Sequence, residues 1–566
     1  MTQVDRRQFL AVFAATGLSS TLLPGILWAQ ILPGTRTITV EMIRESARLA
    51  GLEMSDEEAR DLATSLSSLS KHAEQIDKST LTNASPLPVH FDPRPHDLEL
   101  PPLPPAQFRI EPPPAVRRPA NLEAVAFWPL TQLAQLLRTR ALTSTALTTM
   151  YLARLKRYNP QINCVASLTE ERALREAAAA DAEIAAGRYR GMLHGIPYGV
   201  KDIIAASGYP TRWGARPLAE QAFERDATVV ERLGEAGAVL VAKLTTGELA
   251  FGDQWAGGRT NNPWNLEQGS SGSSAGSAAA TAAGLVAFAI GSDTGGSILS
   301  PAVRCGIVGL RPTFGRVSRA GVMTAGSTLD KIGPMCRHAQ DCMIVLHAIA
   351  GPDVRDRAVP DAMPISWDAT RGRYPRRVGY VPALLDAETN ADRRANDDRA
   401  RAALKQLGCT LVRLDGFPSG DLSYFIEYTE RSAAFDSLIA TGLHKGVSQR
   451  SGRVLRAGQL VTAVDYLQAN RRRAAIMQEV ARLVREVDVV MFTTLTLDSR
   501  TSLNPVMSLT GHPSVAVPNG FAPNGSPAGI MFSGHLYREG ELMALARAFQ
   551  DQNRQYEKLP PLFAAS

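Results

Sequence analysis

Cysteine is scarce, with five in 566 residues at Cys164, Cys305, Cys336, Cys342 and Cys409. None forms a C-x-x-C pair, so neither a disulfide scaffold nor a structural zinc site fits. The odd number leaves at least one thiol outside any intrachain pair. An excess of one charge is also lacking. Lys and Arg number 61 against 55 Asp and Glu, and a net charge of +6 on a chain this long leaves no electrostatic footprint for nucleic acid. Beyond the first thirty residues no apolar run is long enough to span a bilayer. What is present is globular material. With 45% apolar and 20% charged residues the chain can bury a large core. Its length suits about three to five domains, or one large α/β domain with appendages.

The N-terminus reads Asp5-Arg6-Arg7-Gln8-Phe9-Leu10, then a small-residue apolar stretch through Trp28. This resembles a twin-arginine export signal over residues 1–29, with cleavage near Ala29 and a periplasmic or secreted product. Membrane contact would then be transient. Residues 38–80 predict a helical hairpin. Val40, Ile43, Ala47 and Ala50 mark one apolar face, and Ser55-Asp56-Glu57-Glu58 is a capping box opening the second helix. Leu62, Leu66, Leu69, Ala73 and Ile76 continue the stripe. Residues 81–124 form a connector. Positions 86–119 hold 12 of the chain's 36 prolines, which excludes helix or central strand and predicts an extended path along the main domain.

The main domain is expected over residues 125–560. Helical patterns over 130–137, 143–158 (ended by Asn159-Pro160), 170–186 and 229–236 alternate with strand patterns over 195–204, 239–241, 378–381 and 487–492. That alternation predicts an α/β fold. Residues 420–480 read as helices covering one face, with Arg471-Arg472-Arg473 as a solvated helix face.

The chemistry concentrates in a Gly/Ser-rich centre. Residues 269–277 could pass for a linker, but they lead into Ala278-Ala279-Ala280-Thr281-Ala282-Ala283-Gly284, which suits a tightly packed buried helix. Next comes Leu285–Ile290, with the length of a buried strand, ending at Gly291-Ser292-Asp293-Thr294-Gly295-Gly296-Ser297. A serine on a Gly-Gly turn at a strand end is placed for chemistry, because glycines let backbone N–H groups converge on a developing oxyanion. Three nucleophiles compete. Ser274 sits in a formal G-x-S-x-G elbow, but polar residues precede it where a strand is needed, and nothing local supports His512 or His535 as its base. Cys305 has the surroundings of an inert buried thiol. Ser297 would need a base that is not histidine. Lys201, directly after an apolar strand, becomes one if burial lowers its pKa.

These stretches resemble the amidase signature family of serine hydrolases. The resemblance rests on Gly199-Val200-Lys201-Asp202, on Ser271–Ala280, on Gly291–Ile298, on Gly306–Thr313 and on Leu509–Pro518. It implies an α/β fold with a large mixed sheet covered by helices on both faces. It also implies a Ser-cisSer-Lys triad. Ser297 attacks the amide carbonyl, Ser273 on a cis peptide bond relays the proton, and Lys201 is the base. Thr294, Gly295, Gly296 and Ser297 supply the oxyanion hole, and Asp293 braces the loop. The reaction implied is hydrolysis of a carboxamide C–N bond through an acyl-enzyme, with a small-molecule amide as substrate and no metal or organic cofactor. A homodimer is common among such proteins, so one stays open. This sequence departs from the family pattern at Leu299, where arginine is usual, at Arg304, where an apolar residue is common, and at Ser271 and Ala275, which replace glycines.

Residues 40–92 resemble the small C subunit of bacterial glutamyl-tRNA amidotransferase, through Ala47-Arg48-Leu49-Ala50-Gly51-Leu52, the Ser55–Glu58 start and the proline-rich continuation. This raises a rival, a glutaminase component of an amidotransferase, which an export signal opposes. A catalytically silent binding protein is the other rival, opposed by the intact Lys201, Ser273 and Ser297. The 420–480 helices and the 500–512 loop are expected to shape the acyl pocket, with Tyr424, Phe425, Tyr428 and Phe435 as candidate lining.

Overall fold

The computed structural model describes residues 39–49, 55–62, 83, 85, 90–96, 98–360, 363–385, 390–492 and 503–563. The expected export segment, most of the second N-terminal helix and the start of the 500–512 loop lie outside the described residues. Among the described residues no helix is long and apolar enough to cross a membrane. Val40–Leu49 is helical, with Ile43 and Ala47 buried. The capping box closes as its spacing predicts. Ser55 N–H donates to Glu58 Oε2 at 2.7 Å and Glu58 N–H to Ser55 Oγ at 3.3 Å. Parts of the connector lie against the main body. Phe91 meets Phe314 edge-on at 5.1 Å under the Arg473 guanidinium, and Gln107–Arg109 pairs in parallel with Ser366–Asp368.

Eleven strands build the central sheet. In chain order they are β1 (Val165–Leu168), β2 (Pro197–Lys201), β3 (Val239–Leu244), β4 (Phe288–Asp293), β5 (Val308–Arg311), β6 (Lys331–Cys336), β7 (Arg377–Tyr380), β8 (Thr410–Arg413), β9 (Val489–Phe492), β10 (Ser514–Phe521) and β11 (Pro527–Gly534). Across the sheet they run β8-β7-β9-β11-β10-β5-β6-β4-β2-β3-β1. The sheet is mixed. β2 pairs in parallel with both β3 and β4, whereas β4 and β6 are antiparallel. Its central strands are buried throughout, as continuous apolar runs require when helices cover both faces.

The two faces differ in side-chain size. Tyr198 and Phe288 stack at 5.2 Å on one face, where they join the larger apolar cluster. The other face carries Ala289 and Gly291, against which α1 (Ala275–Ala282) packs with every residue buried. A Cβ on Gly291 would fall 2.8 Å from Ser274 Oγ, so bulk there would push this helix off the sheet. The Gly/Ser-rich stretch is therefore core and not a linker. Farther along come α2 (Leu299–Cys305), α3 (Leu422–Ala434), α4 (Ala463–Val484) and α5 (Asn504–Leu509).

Three local expectations change. The helix expected to stop at Asn159-Pro160 runs from Ser144 to Ile162 and ends on left-handed Asn163. Asn159 Oδ1 accepts the N–H groups of Cys164 and Val165, both at 2.9 Å, which fixes the exit. β4 starts three residues later than the apolar run and carries Ser292 and Asp293 inside the sheet. Arg473 is not on a solvated face. It is 1% exposed and donates to the carbonyls of Leu509 at 2.7 Å and Thr328 at 2.9 Å.

Candidate active site

Lys201 closes β2 and is fully buried. Burial penalises its ammonium and lowers its pKa to about 7, so neutral amine is available at neutral pH. Its Nζ donates to Ser273 Oγ at 2.7 Å and to Ser292 Oγ at 2.8 Å. Ser273 follows a cis peptide bond from Gly272. Glycine is required there by close approach, since a Cβ would sit 1.8 Å from the Gly252 carbonyl oxygen. The Ser273 carbonyl accepts Gly247 N–H at 3.2 Å.

Ser297 stands on the turn between β4 and α2, half-buried. Its carbonyl accepts Ser274 N–H at 3.1 Å, which joins the two serine-bearing segments. Asp293, at the end of β4, organises the turn. Its Oδ1 accepts Gly296 N–H at 2.7 Å and its Oδ2 accepts Ile298 N–H at 2.8 Å. Arg311 from β5 makes an ion pair with Oδ1 at 3.2 Å. Burial pushes the Asp293 carboxyl up, but Arg311, Lys331 and the two N–H groups outweigh it and hold it below the usual carboxylate range.

α5 holds the turn from another element. Asn504 Nδ2 donates to Gly295 O at 2.8 Å, and Ser508 Oγ donates to Thr294 O. Each donor touches a buried basic side chain. Arg311 Nη1 lies 2.7 Å from Asn504 Oδ1, and Lys331 Nζ lies 2.8 Å from Ser508 Oγ. In a trans peptide the carbonyl and the next N–H point opposite ways. Pinning Thr294 O therefore turns Gly295 N–H away from Ser508. Neither Gly295 N–H nor Ser297 N–H has a partner among the described residues. Gly296 departs from the expected oxyanion hole, because its N–H is spent on Asp293. The Thr294 hydroxyl is bonded to Asp330 Oδ1 at 2.6 Å.

The rival nucleophiles lack partners for chemistry. Ser274 is buried, and its Oγ donates to Ser292 O at 3.1 Å and accepts Ser292 N–H at 3.2 Å. His512 bonds Thr510 and His535 bonds the Val487 carbonyl, so neither faces Ser274. The Cys305 thiol is buried and its pKa is pushed up by desolvation.

The departures at Leu299 and Arg304 have structural accounts. Leu299 is buried and its N–H reaches Asp293 Oδ2 at 3.4 Å, while Arg311 supplies the guanidinium to that carboxylate. Arg304 Nη2 bonds Gln268 Oε1 at 2.6 Å. The candidate aromatic residues divide between core and surface. Phe435 packs on Trp213 in the core at 5.8 Å, and Tyr424 and Phe425 are each 36% exposed. Sequence reasoning missed Arg311, Ser292, Lys331, Asn504 and Ser508. Arg311 carried a usable signal, since an arginine closing an apolar strand needs a buried acid.

The family model for Amidase matches residues 146–499. AmiD of Mycobacterium tuberculosis, named as a putative amidase, is 33% identical over 474 residues, covering 78% of this chain and 97% of that protein. The A subunit of the glutamyl-tRNA(Gln) amidotransferase of Thermosynechococcus vestitus is 32% identical, covering 74% of this chain and 96% of its own. Among solved structures, the native peptide amidase of Stenotrophomonas maltophilia superposes with a TM-score of 0.70 at 29% identity, covering 78% of this chain and 100% of that one. A family match over more than half of the sequence, with relatives aligned along nearly their whole length, settles the assignment: the chain belongs to the amidase signature family.

Proposed function

We propose that this amidase cleaves its carboxamide through Ser297, with Ser273 and neutral Lys201 as the proton path. The enzyme is a hydrolase of amide C–N bonds. The observation that carries the mechanism is a fully buried lysine, its pKa lowered to about 7, bonded at 2.7 Å to Ser273, whose segment is tied to the Gly-Gly turn through Ser274 N–H and Ser297 O. Ser297 Oγ bonds to the carbonyl carbon as its proton passes through Ser273 to Lys201. Gly295 N–H and Ser297 N–H receive the oxyanion. The C–N bond breaks as the leaving nitrogen takes the proton back from the Ser273–Lys201 pair. Water then attacks the acyl-enzyme by the reverse path, releasing carboxylate and restoring Ser297. The chain supplies every group in this cycle, so the cycle as written uses no metal or organic cofactor.

The export signal directs the enzyme to the periplasm or out of the cell, where it acts on small-molecule amides and not on nucleic acid. The second reading, a glutaminase component, draws on the likeness to the amidotransferase of Thermosynechococcus vestitus. One experiment separates the two. The chain lacking residues 1–29 and its Ser297→Ala variant are incubated with aliphatic, aryl and anilide amides plus glutamine, and product release is followed by mass spectrometry. Turnover of several amides that falls about 10⁴-fold in the variant is the expected result. Turnover of glutamine alone supports the second reading, and equal turnover by both proteins removes Ser297 as nucleophile.

A further inference from the structure

The wall facing the nucleophile turn carries one carboxylate with an open oxygen. α3 places Glu427 against Gly295, where an added Cβ would lie 3.6 Å from Glu427 Oε2 with nothing closer. Glu427 is 8% exposed. Its Oε1 accepts a 2.6 Å bond from Arg431 Nη2, and its Oε2 has no hydrogen-bond partner among the described residues. Arg431 is held where it is. Its Nη1 donates to Leu249 O at 2.5 Å, and the guanidinium lies 4.1 Å from the centre of the Phe251 ring. It is therefore not free to cover Oε2.

An open carboxylate beside this turn is a problem for amide hydrolysis of an uncharged substrate. Negative charge grows on the carbonyl oxygen during attack, and a nearby anion opposes it in a water-poor site. The open Oε2 keeps an acceptor for a donor on the substrate, and a cationic donor fills it and places positive charge near the developing oxyanion. We propose that Glu427 recognises an ammonium group on the substrate, so that the preferred substrates are amides with an amino group close to the scissile carbonyl, such as amino-acid amides. This rests on the amidase reading above and names its substrate class.

The test uses two amides that differ only in that group, leucinamide and 4-methylpentanamide. Ammonia release is measured for the parent, Glu427→Gln and Ser297→Ala. A charge-assisted hydrogen bond predicts that the parent favours leucinamide by about 10- to 100-fold in kcat/KM. In Glu427→Gln, which retains an acceptor for Arg431, the ratio should collapse toward one, mostly through KM for leucinamide. A parent ratio near one, or a ratio unchanged in Glu427→Gln, overturns the proposal. The parent ratio decides by itself if the variant does not fold. Aliphatic and aryl amides assayed alongside keep the two failures apart. Their turnover without any preference for the amine removes the role of Glu427 alone, whereas activity that survives Ser297→Ala removes the mechanism beneath it.

Discussion

Asp293 and Glu427 are both buried carboxylates beside the turn that carries Ser297, and each is paired with a buried arginine, Arg311 at 3.2 Å and Arg431 at 2.6 Å. Their remaining bonds differ. Asp293 also accepts the N–H groups of Gly296 and Ile298, so both of its oxygens are engaged from within the turn. Glu427 leaves Oε2 open. A saturated carboxylate fixes geometry, because every group it holds would be orphaned if it moved. An open one has bonding capacity left for a ligand. The comparison separates positioning from recognition within one small site.

The strongest way to break that comparison is to remove the proposed base, Lys201, beside the saturated carboxylate. Lys201→Met should lower kcat/KM about 10⁴-fold. In the parent, kcat/KM should fall as pH drops through about 7, where Lys201 gains its proton. Stability should fall in the same direction, over a higher pH window. The folded pKa is depressed from 10.5, so between 10.5 and about 7 the unfolded chain binds a proton that the folded chain does not. The parent therefore loses stability as pH falls across that window, and Met does not. Melting temperatures should show Lys201→Met gaining on the parent as pH falls, with the gap levelling below about 7. A gap that is constant with pH would mean that Lys201 is charged in the folded protein.

A second test unpairs the saturated carboxylate itself. Arg311→Met leaves Asp293 buried without its cation and should cost about 3–5 kcal/mol of stability, read by denaturant titration. Activity should fall with it, since a protonated Asp293 is a weaker acceptor for Gly296 and Ile298. Adding Asp293→Asn removes the stranded charge and should recover much of the stability without recovering the activity. Joint recovery would show that the pair serves folding alone.

Much of this side of the site was legible in the sequence. Ser297 on its Gly-Gly turn and Lys201 at the end of an apolar strand stood out as candidates locally, whereas the roles of Ser273 and Asp293 came from the resemblance to the amidase signature family. The sheet's apolar runs were legible locally too. What escaped depends on tertiary pairing. Asn504 and Ser508 act on carbonyls 209 and 214 residues away, and no local pattern records such a distance. Arg473 read as one of three solvated arginines because its partners, Leu509 O and Thr328, lie on other elements. Glu427 was hidden by the aromatic residues around it. Helical spacing marked Tyr424 and Tyr428 as candidates and passed over the acid between them.

The smallest expected effect sharpens what saturation achieves. Ser508→Ala removes the hydroxyl that ties Thr294 O to Lys331 and leaves that lysine with the Ser508 carbonyl at 3.3 Å. Losing one buried hydrogen bond of this kind corresponds to about 1–3 kcal/mol. If the bond only supports the fold, that loss appears in the melting temperature and kinetics stay as they were. If it aims Gly295 N–H at the oxyanion, kcat should fall about 10-fold while KM holds, because the donor acts on the transition state more than on the bound amide. Ser508→Thr keeps the hydroxyl and should restore kcat where Ser508→Ala does not. A change in KM alone, or equal loss in both variants, would detach α5 from the chemistry and leave Asp293 as the support of the turn.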